Sequence, residues 1–269
     1  MLAPLVLLVA QALPVQGETL RWAVTTTFRN AGLAAVLLPA AQADLGFEID
    51  MLVVGTGQAA GLARAGDVDA IMVHERGLEQ ALVDEGTATH RREIMYNDFV
   101  LVGPRKDPAG IANSASAIDA LRAIAQTRAP FVSRGDDSGT HRRELALWQA
   151  AGIPADQRPV AWYKAVGAGM GTALNIASGL DAYVLADRAS WLTFRNKGGL
   201  ALLFAGDEAL FNQYSYLPVN PARHAHVHAD MAARLEAWLT GARAKALING
   251  YRLHGVALFT FNARAEGGA

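Results

Sequence analysis

Apolar and polar positions follow two different periodicities along the chain. Short apolar runs, as in residues 69–73, are typical of buried strands, whereas residues 140–151 carry apolar side chains at helical spacing. Because predicted strands and helices alternate, the pattern favours an α/β protein with a parallel sheet and crossover helices. The predicted strands are residues 20–25, 47–54, 69–73, 99–103, 130–133, 182–185 and 215–219, and the predicted helices are residues 32–43, 58–64, 117–126, 140–151, 171–178, 230–239 and 242–249.

The α/β units form two groups, and no Pro-, Gly- or Ser-rich linker separates them. We therefore expect two α/β lobes joined by more than one crossing of the chain, with the C-terminal helices returning to the first lobe. In such a fold a ligand binds in the cleft between the lobes, at the C-terminal ends of the strands.

The first 17 residues differ in character from the rest of the chain. Residues 5–10 are an unbroken apolar run and no charged side chain precedes Glu18, which suits the core of a secretory signal but is too short to span a bilayer. Val15 and Gly17 fit the small-residue cleavage positions, although no Lys or Arg precedes the apolar run. We predict a signal peptide over residues 1–17 and a soluble, exported protein; a buried strand or helix is the alternative.

Composition narrows the function classes. The chain has 24 Lys and Arg against 25 Asp and Glu, a net charge of -1, which argues against a general nucleic-acid binder. With 52% hydrophobic and 18% charged residues it can bury a sizeable core. Cysteine is absent, which excludes disulfides, thiolate metal sites, cysteine nucleophiles and a lipid anchor on cysteine. We therefore expect an exported protein that is free in a periplasm.

Four short stretches share one pattern, in which a predicted strand ends, a small polar or Gly-rich turn follows, and a helix begins. Unpaired main-chain N–H groups at a helix N-terminus, together with the helix dipole, favour an anion. Thr and Ser hydroxyls add donors, and glycine lets a ligand approach the main chain closely. One such turn is an ordinary helix cap, but four together predict an oxyanion site. They are residues 25–27, 55–57, 133–140 and 167–172.

The third stretch carries Arg134, whose planar guanidinium suits an oxyanion, four residues before the expected helix cap Ser138. Its neighbours Asp136 and Asp137 would repel a fully ionised oxyanion in direct contact. They could instead orient Arg134, accept turn N–H groups, or accept the proton of a hydrogen phosphate. Helix capping and a part in ligand binding both stay open for these carboxylates.

Six sequence segments, which together span nearly all of the chain after residue 17, carry a resemblance to a known family. They are VVGTGQAAGLARAGDVDAIMVH (53–74), MYNDFVLVGPRKDPAGI (95–111), FVSRGDDSGTHRREL (131–145), WYKAVGAGMGTAL (162–174), AYVLADR (182–188) and YLPVNPARH (216–224). In this order they closely resemble the TupA-type tungstate-binding proteins of ABC transporters. Several long motifs in one order make the resemblance specific.

The resemblance implies a bilobed type II periplasmic solute-binding protein fold, in which two α/β lobes joined by a two-crossing hinge close around one oxyanion. Lobe I would comprise residues 18–98 and 214–269 and lobe II residues 99–213, with hinge crossings near residues 97–99 and 213–215. The implied ligand is tungstate first and molybdate next, delivered to a membrane permease. We expect a monomer without cofactor, metal cation or nucleic-acid partner.

The family's ligand-binding loops fall on twelve positions of this sequence. Two neighbouring positions depart from the family pattern, because Phe28 and Ala31 stand where serines are usual. Loss of those hydroxyls leaves fewer donors in the first loop, and Phe28 could narrow or cap the cleft. Main-chain donors survive any substitution except proline. The twelve positions are Thr25, Thr26, Thr27, Gly55, Thr56, Gly57, Arg134, Ser138, Gly139, Thr140, Gly169 and Gly171.

Other candidate residues point to chemistry less strongly. His224, His226 and His228 alternate, as three ligands of a metal would on a strand, but their place before a predicted helix favours a structural role at the helix start. Ser138 and His141 lack a third, orienting group, which argues against nucleophilic catalysis.

The roles of Asp187 and of the five tryptophans are predicted mainly from the residues around them. Asp187 lies beside Arg188 in a matched segment and is either structural or faces the cleft. The tryptophans are expected in the core rather than on a ligand: they are Trp22, Trp148, Trp162, Trp191 and Trp238.

Three alternatives to a tungstate carrier remain at this point. A phosphate-binding transport protein is the nearest, because phosphate carriers also combine an Arg, an Asp and a Ser-Gly-Thr turn. The sensor domain of a transcription regulator would share the fold, but the chain shows no helix-turn-helix. An exported hydrolase would need a general base or a metal cluster, which the sequence lacks. We therefore predict a non-enzymatic carrier.

Overall fold

The computed structural model describes residues 18–264. The predicted signal peptide, residues 1–17, lies outside the described residues. Between residues 18 and 264, no helix combines the length and the apolar character needed to cross a membrane.

Strands and helices alternate through the described chain, as the apolar pattern predicts. The strands are β1 (Thr19–Thr25), β2 (Glu48–Val54), β3 (Ala70–Val73), β4 (Arg92–Pro104), β5 (Phe131–Ser133), β6 (Tyr163–Ala165), β7 (Tyr183–Asp187), β8 (Leu200–Phe204), β9 (Phe211–Pro218), β10 (Arg252–Leu253), β11 (Val256–Ala257) and β12 (Thr260–Phe261). The helices are α1 (Thr26–Asn30), α2 (Ala34–Leu45), α3 (Thr56–Ala65), α4 (Arg76–Asp84), α5 (Ala117–Thr127), α6 (Gly139–Ala150), α7 (Met170–Leu180), α8 (Arg188–Thr193), α9 (Ala229–Leu239) and α10 (Ala242–Gly250). Single 3₁₀ turns occur at Ile111–Asn113, Ala155–Gln157 and Glu208–Leu210.

Helix ends follow the capping chemistry of the sequence. The hydroxyl of Ser116 accepts a hydrogen bond from the N–H of Asp119 and so starts α5. Helices α2 and α3 end at Gly46 and Gly66, whose φ values of 74° and 76° lie in the left-handed region that glycine adopts without strain. The sequence therefore provides a local start or stop signal at each of these helix ends.

The main sheet is mixed rather than parallel, in the order β2-β1-β3-β9-β4-β7-β5-β6. Strand β1 pairs in parallel with β2 and β3, and β5 pairs in parallel with β6 and β7. Strands β4 and β9 run antiparallel to each other and to their outer neighbours. The prediction of a parallel sheet is therefore wrong at the centre, because these two long strands connect the two groups of α/β units instead of belonging to one crossover unit.

Strand β4 changes partner partway along its length. Residues 92–98 pair with β9, whereas residues 99–102 pair with β7. The change defines a first sheet half, made of β1, β2, β3, β9, β12 and residues 92–98, and a second sheet half, made of β5, β6, β7, β8 and residues 99–104.

Each sheet half has its own hydrophobic core. Two clusters of buried side chains cover the first half and draw almost entirely on residues before 99 and after 213, including α9 and α10. Two others cover the second half and use residues 99–210. Ala189 of α8 is the exception, because it packs into a first-half cluster. The tryptophans at positions 22, 148, 162, 191 and 238 are buried, as predicted.

Phe28 belongs to the core and does not cap the cleft, which corrects the expectation from the sequence. It is fully buried and packs against the rings of Trp22 and Tyr214, with centroid separations of 6.1 and 6.0 Å. Thr25 caps α1 and accepts a hydrogen bond from the N–H of Phe28. Because α1 begins at Thr26, Phe28 is its third residue, and its side chain faces the core.

The alternating histidines lie directly before α9. The rings of His224 and His226 hydrogen-bond the main-chain oxygens of Arg64 and Gly66, at 3.1 and 2.9 Å. Among residues 18–264, no group of three or more His, Cys, Asp or Glu side chains is placed to hold a metal ion. These contacts support the structural role at the helix start rather than the metal alternative.

Candidate ligand-binding cleft

A cleft of about 940 Å³ separates the two sheet halves. All twelve positions singled out in the sequence line it, although they come from four separate segments of the chain. They are Thr25, Thr26, Thr27, Gly55, Thr56, Gly57, Arg134, Ser138, Gly139, Thr140, Gly169 and Gly171. The strand order brings together turns that the sequence could identify only one by one.

The four turns are the N-termini of α1, α3, α6 and α7, and they differ in what caps them. Thr25 and Ser138 each accept a hydrogen bond from an N–H of their own helix. Gly55 and Gly169 provide no side-chain cap to α3 and α7. The first-turn N–H groups of these two helices, one in each sheet half, therefore lack an intrahelical or side-chain acceptor at the cleft.

Two further helices begin at the cleft, but carboxylates cap them. The side chain of Glu75 accepts from the N–H groups of Gly77 and Leu78 at the start of α4, at 3.1 and 2.8 Å. Asp187 accepts from the N–H of Ser190 at the start of α8, at 2.8 Å. Asp187 thus both faces the cleft and caps a helix. These capped N-termini do not offer the same free donors as those of α3 and α7.

The Arg134 loop and the later Gly-rich turn are held against each other. The N–H of Ala168 donates to the main-chain oxygen of Arg134 at 3.0 Å. Gly135 has a φ of +60°, and a Cβ there would lie 2.9 Å from the Cβ of Ala165. Only glycine allows this close approach, which fixes the N-termini of α6 and α7 relative to each other.

Asp136 orients Arg134 and the helix cap at the same time. Its Oδ2 accepts a hydrogen bond from Nη2 of Arg134, and its Oδ1 accepts from the hydroxyl of Ser138 at 2.7 Å. Burial opposes ionisation of Asp136, but the hydrogen bonds from Ser138 and Arg134 outweigh it and hold the pKa of this carboxyl below its usual value. Asp136 is not among the residues that line the cleft.

Asp137, in contrast, is an exposed neighbour of the cleft. Its two carboxylate oxygens accept hydrogen bonds from Arg142 at 3.1 and 2.9 Å. Hydrogen bonds and the nearby charge of Arg142 lower the pKa of Asp137. The two aspartates that the sequence left open therefore have different roles, one inside the loop and one at its surface.

His74 is a cleft residue that the sequence interpretation missed. Its Nε2 lies 2.9 Å from Oγ1 of Thr27, and its ring centroid lies 4.9 Å from that of Tyr214. A Cβ on Gly139 would lie 3.1 Å from Cε1 of His74, so the imidazole also reaches the start of α6. Burial lowers the pKa of His74 to about 4, which leaves the ring neutral at pH 7. A signal for it existed, because His74 directly follows the buried strand β3, as Thr26 follows β1.

Asn212 and Arg143 are two further lining residues of the cleft that the sequence interpretation missed. Asn212, in β9, donates from Nδ2 to Oδ1 of Asn97 in β4, at 2.8 Å. Arg143, on α6, donates from Nη2 to the main-chain oxygen of Phe211 at 2.7 Å. Both lie where the connecting strands pass beneath the cleft.

Ser138 and His141 do not form a nucleophile and base pair. The Ser138 hydroxyl donates to Asp136, whereas Nδ1 of His141 accepts from the main-chain N–H of Asp137 at 3.0 Å. The His141 ring is therefore engaged by the loop rather than by the serine hydroxyl, which does not fit the geometry of serine catalysis.

Comparisons with known proteins agree with this architecture. The PBP superfamily domain matches residues 10–243. The tungstate-binding protein TupA of Peptoclostridium acidaminophilum is 39% identical over 245 residues, which cover 90% of this chain and 85% of the relative.

Two solved structures extend the comparison to the fold. The tungstate-binding protein TupA from Desulfovibrio alaskensis G20 is 40% identical, with a TM-score of 0.88 over 91% of this chain and 99% of that chain. The tungstate ABC transporter structure from Geobacter sulfurreducens is 42% identical, with a TM-score of 0.75 over 87% of this chain and 99% of that chain. The domain match, the sequence identity and the shared structure show that the chain belongs to the TupA-type tungstate-binding proteins of the PBP superfamily, with their bilobed α/β fold.

Proposed function

We propose that the cleft binds tungstate, and also molybdate, and that the protein delivers the ion to the permease of an ABC transporter. The observation that carries the proposal is the convergence of two uncapped helix N-termini, those of α3 and α7, with Arg134 on one cleft. The ligand is carried without chemical change and no cofactor takes part. The relatives named above, which are described as tungstate-binding, support the choice of ion.

A tetrahedral dianion suits this set of donors. Helix N-termini offer main-chain N–H groups and a favourable dipole, and glycine caps leave these groups open to a ligand. The hydroxyls of the threonines at positions 25–27 and 140 add neutral donors, and Arg134 adds a planar cation. Because most donors are neutral, the protein needs no extended basic surface to hold a dianion.

The arrangement of Asp136 favours a fully ionised oxyanion over hydrogen phosphate. Both of its carboxylate oxygens already accept hydrogen bonds, from Arg134 and from Ser138. Asp136 is thus engaged within the loop, and because it does not line the cleft it is not offered to the proton of a bound hydrogen phosphate. A phosphate carrier remains the principal alternative, and the ligand panel described below separates the two.

Closure of the cleft would remove the bound ion from water. We propose that lobe I, residues 18–98 and 214–269, and lobe II, residues 99–213, rotate about the two connecting strands. The change of partner of β4 after Asp98, which pairs with Phe211 of β9, supports hinge crossings in these strands. The closed form would present the surface that the permease recognises.

The place of action follows from the same proposal. We propose that the protein is exported by residues 1–17 and works as a monomer in the periplasm, where it meets the membrane permease.

A panel of oxyanions tests the proposed ligand directly. Tungstate and molybdate should each raise the thermal midpoint, because a ligand that binds only the folded state adds about 2.7 kcal/mol at a hundredfold excess over its Kd. For a chain of this size that corresponds to a shift of about 5–10 °C. Phosphate and sulfate should produce smaller shifts. Differential scanning fluorimetry that shows no shift with either metal oxyanion would exclude the proposal, and a shift with phosphate alone would establish the alternative.

Replacing Arg134 tests the site itself. Arg134→Ala should weaken tungstate binding by about 100-fold, since it removes charge-assisted hydrogen bonds worth about 3 kcal/mol and frees the Asp136 carboxylate. The measurement is isothermal titration calorimetry. The matched control is Arg122→Ala, which removes the same charge from α5, where Arg122 pairs with Asp119 outside the cleft. Equal affinity of the Arg134 variant and the control would remove Arg134 from the site.

The neutral state of His74 predicts a pH dependence of stability. The unfolded chain takes up a proton on this residue below about pH 6.5, whereas burial lowers the pKa of His74 to about 4 in the folded protein. The contribution of His74 to the free energy of unfolding is therefore complete above pH 6.5 and is lost as the pH falls toward 4.

The variant His74→Gln lacks this titration. Between pH 7 and pH 4.5, the stability of the natural protein relative to the variant should fall by on the order of 2 kcal/mol. Chemical unfolding at a series of pH values measures the difference. A constant difference across this range would show that the ring does not stay neutral on folding.

A further inference from the structure

The charges that line the cleft are unevenly paired. Two of its arginines have carboxylate partners, since Nη2 of Arg134 contacts Asp136 and Nη2 of Arg142 lies 2.9 Å from Asp137. A third, Arg76, is exposed at the start of α4, where water screens its charge. The four arginines that line the cleft are Arg76, Arg134, Arg142 and Arg143.

Arg143 is the partly buried arginine of this set that has no ion pair within residues 18–264. Its one side-chain hydrogen bond in that range runs from Nη2 to the main-chain oxygen of Phe211, at 2.7 Å. A guanidinium has five N–H donors, so most of its donors remain without a protein acceptor. The other cleft carboxylates, Glu75 and Asp187, cap helices and form no ion pair with it.

Two features make this position costly for an unpaired cation. Burial, which disfavours the charged form, lowers the pKa of Arg143. Arg143 is the fifth residue of α6, one turn after the positive end of the helix dipole, so the helix offers this cation no favourable interaction. A bound anion would compensate this charge, and the folded protein does not compensate it with a carboxylate of its own among the described residues.

Arg143 and His74 line the same cleft. Burial is the main cause of the low pKa of His74, and the charge of Arg143 is a further, smaller cause that acts in the same direction. His74 in turn contacts Thr27 and the start of α6, between the predicted donor turns of the two sheet halves.

We propose that Arg143 is a second cationic binding residue, which donates hydrogen bonds to the bound oxyanion and supplies the uncompensated positive charge of the cleft. The inference rests on the proposed function, because it assigns a role within the same site. Arg134 is held by Asp136 and contributes fixed geometry with little net charge. Arg143, tethered to Phe211 at one nitrogen, contributes the charge that the dianion neutralises.

The test compares three variants with the natural protein. Arg143→Gln removes the charge, Arg143→Lys keeps it, and Arg142→Gln removes a neighbouring charge of the same helix that is exposed and already paired. Titration calorimetry with sodium tungstate, at ionic strengths from about 0.02 to 0.5 M, gives the affinities. Thermal unfolding without ligand confirms that each variant is folded.

We expect Arg143→Gln to lower the affinity by about 10- to 100-fold, as the loss of a charge-assisted hydrogen bond would. The salt dependence of binding should also become weaker. Arg143→Lys should stay within about fivefold of the natural protein, and Arg142→Gln within about threefold.

Each other result has a distinct meaning. If the natural protein binds tungstate and Arg143→Gln binds equally well, the role of Arg143 is overturned while the proposed function stands. If the Lys and Gln variants are equally weakened, the hydrogen bond to Phe211 is what matters, and the assignment of charge is overturned. If the natural protein itself does not bind tungstate, the proposed function fails first.

Discussion

Main-chain N–H groups at the start of a helix have no acceptor within that helix, and their satisfaction is the constraint around which this structure is organised. Half of the ten α-helices in the described chain meet it with a side chain, as Ser116 does for α5 and Asp187 for α8. Helices α3 and α7 begin instead at Gly55 and Gly169, without a side-chain cap, and both begin at the same cleft. Unpaired donors of this kind would be costly in a closed core, whereas at the cleft they are available to the proposed ligand.

The two connecting strands give these donors a common frame. Strand β4 hydrogen-bonds β9 in the first sheet half and β7 in the second, so one continuous strand carries the chain beneath the cleft. The bidentate pair between Arg188 and Asp98 lies at this junction, beside the start of α8. A hinge built on paired strands can bend while the helices on each side keep their own cores. The binding turns would then move as two rigid sets, which is what closure on a small ion requires.

The sequence could locate the turns that line the cleft because their signals are local. A strand followed by a turn of Thr, Ser or Gly and then by a helix, as at residues 25–27 and 167–172, can be recognised without knowing the fold. His74 and Arg143 could not be assigned in this way, since their proximity depends on the order of β3, β9 and β4 in the sheet. The long strand β4 was predicted only over residues 99–103, because polar residues interrupt the apolar pattern of its first part. The expectation that Phe28 faces the cleft was wrong because the composition of the loop does not show where α1 starts. The start of α1 decides the direction in which Phe28, its third residue, points.

In the proposed complex, uncapped N-termini from both sheet halves and cleft arginines together hold a dianion. Crystals grown with tungstate, measured at the tungsten absorption edge, locate the ion by its anomalous scattering. We expect a single strong peak between the starts of α3 and α7, within hydrogen-bonding distance of their first-turn N–H groups and of Arg134. A peak outside this cleft, or at an isolated surface arginine, would contradict it.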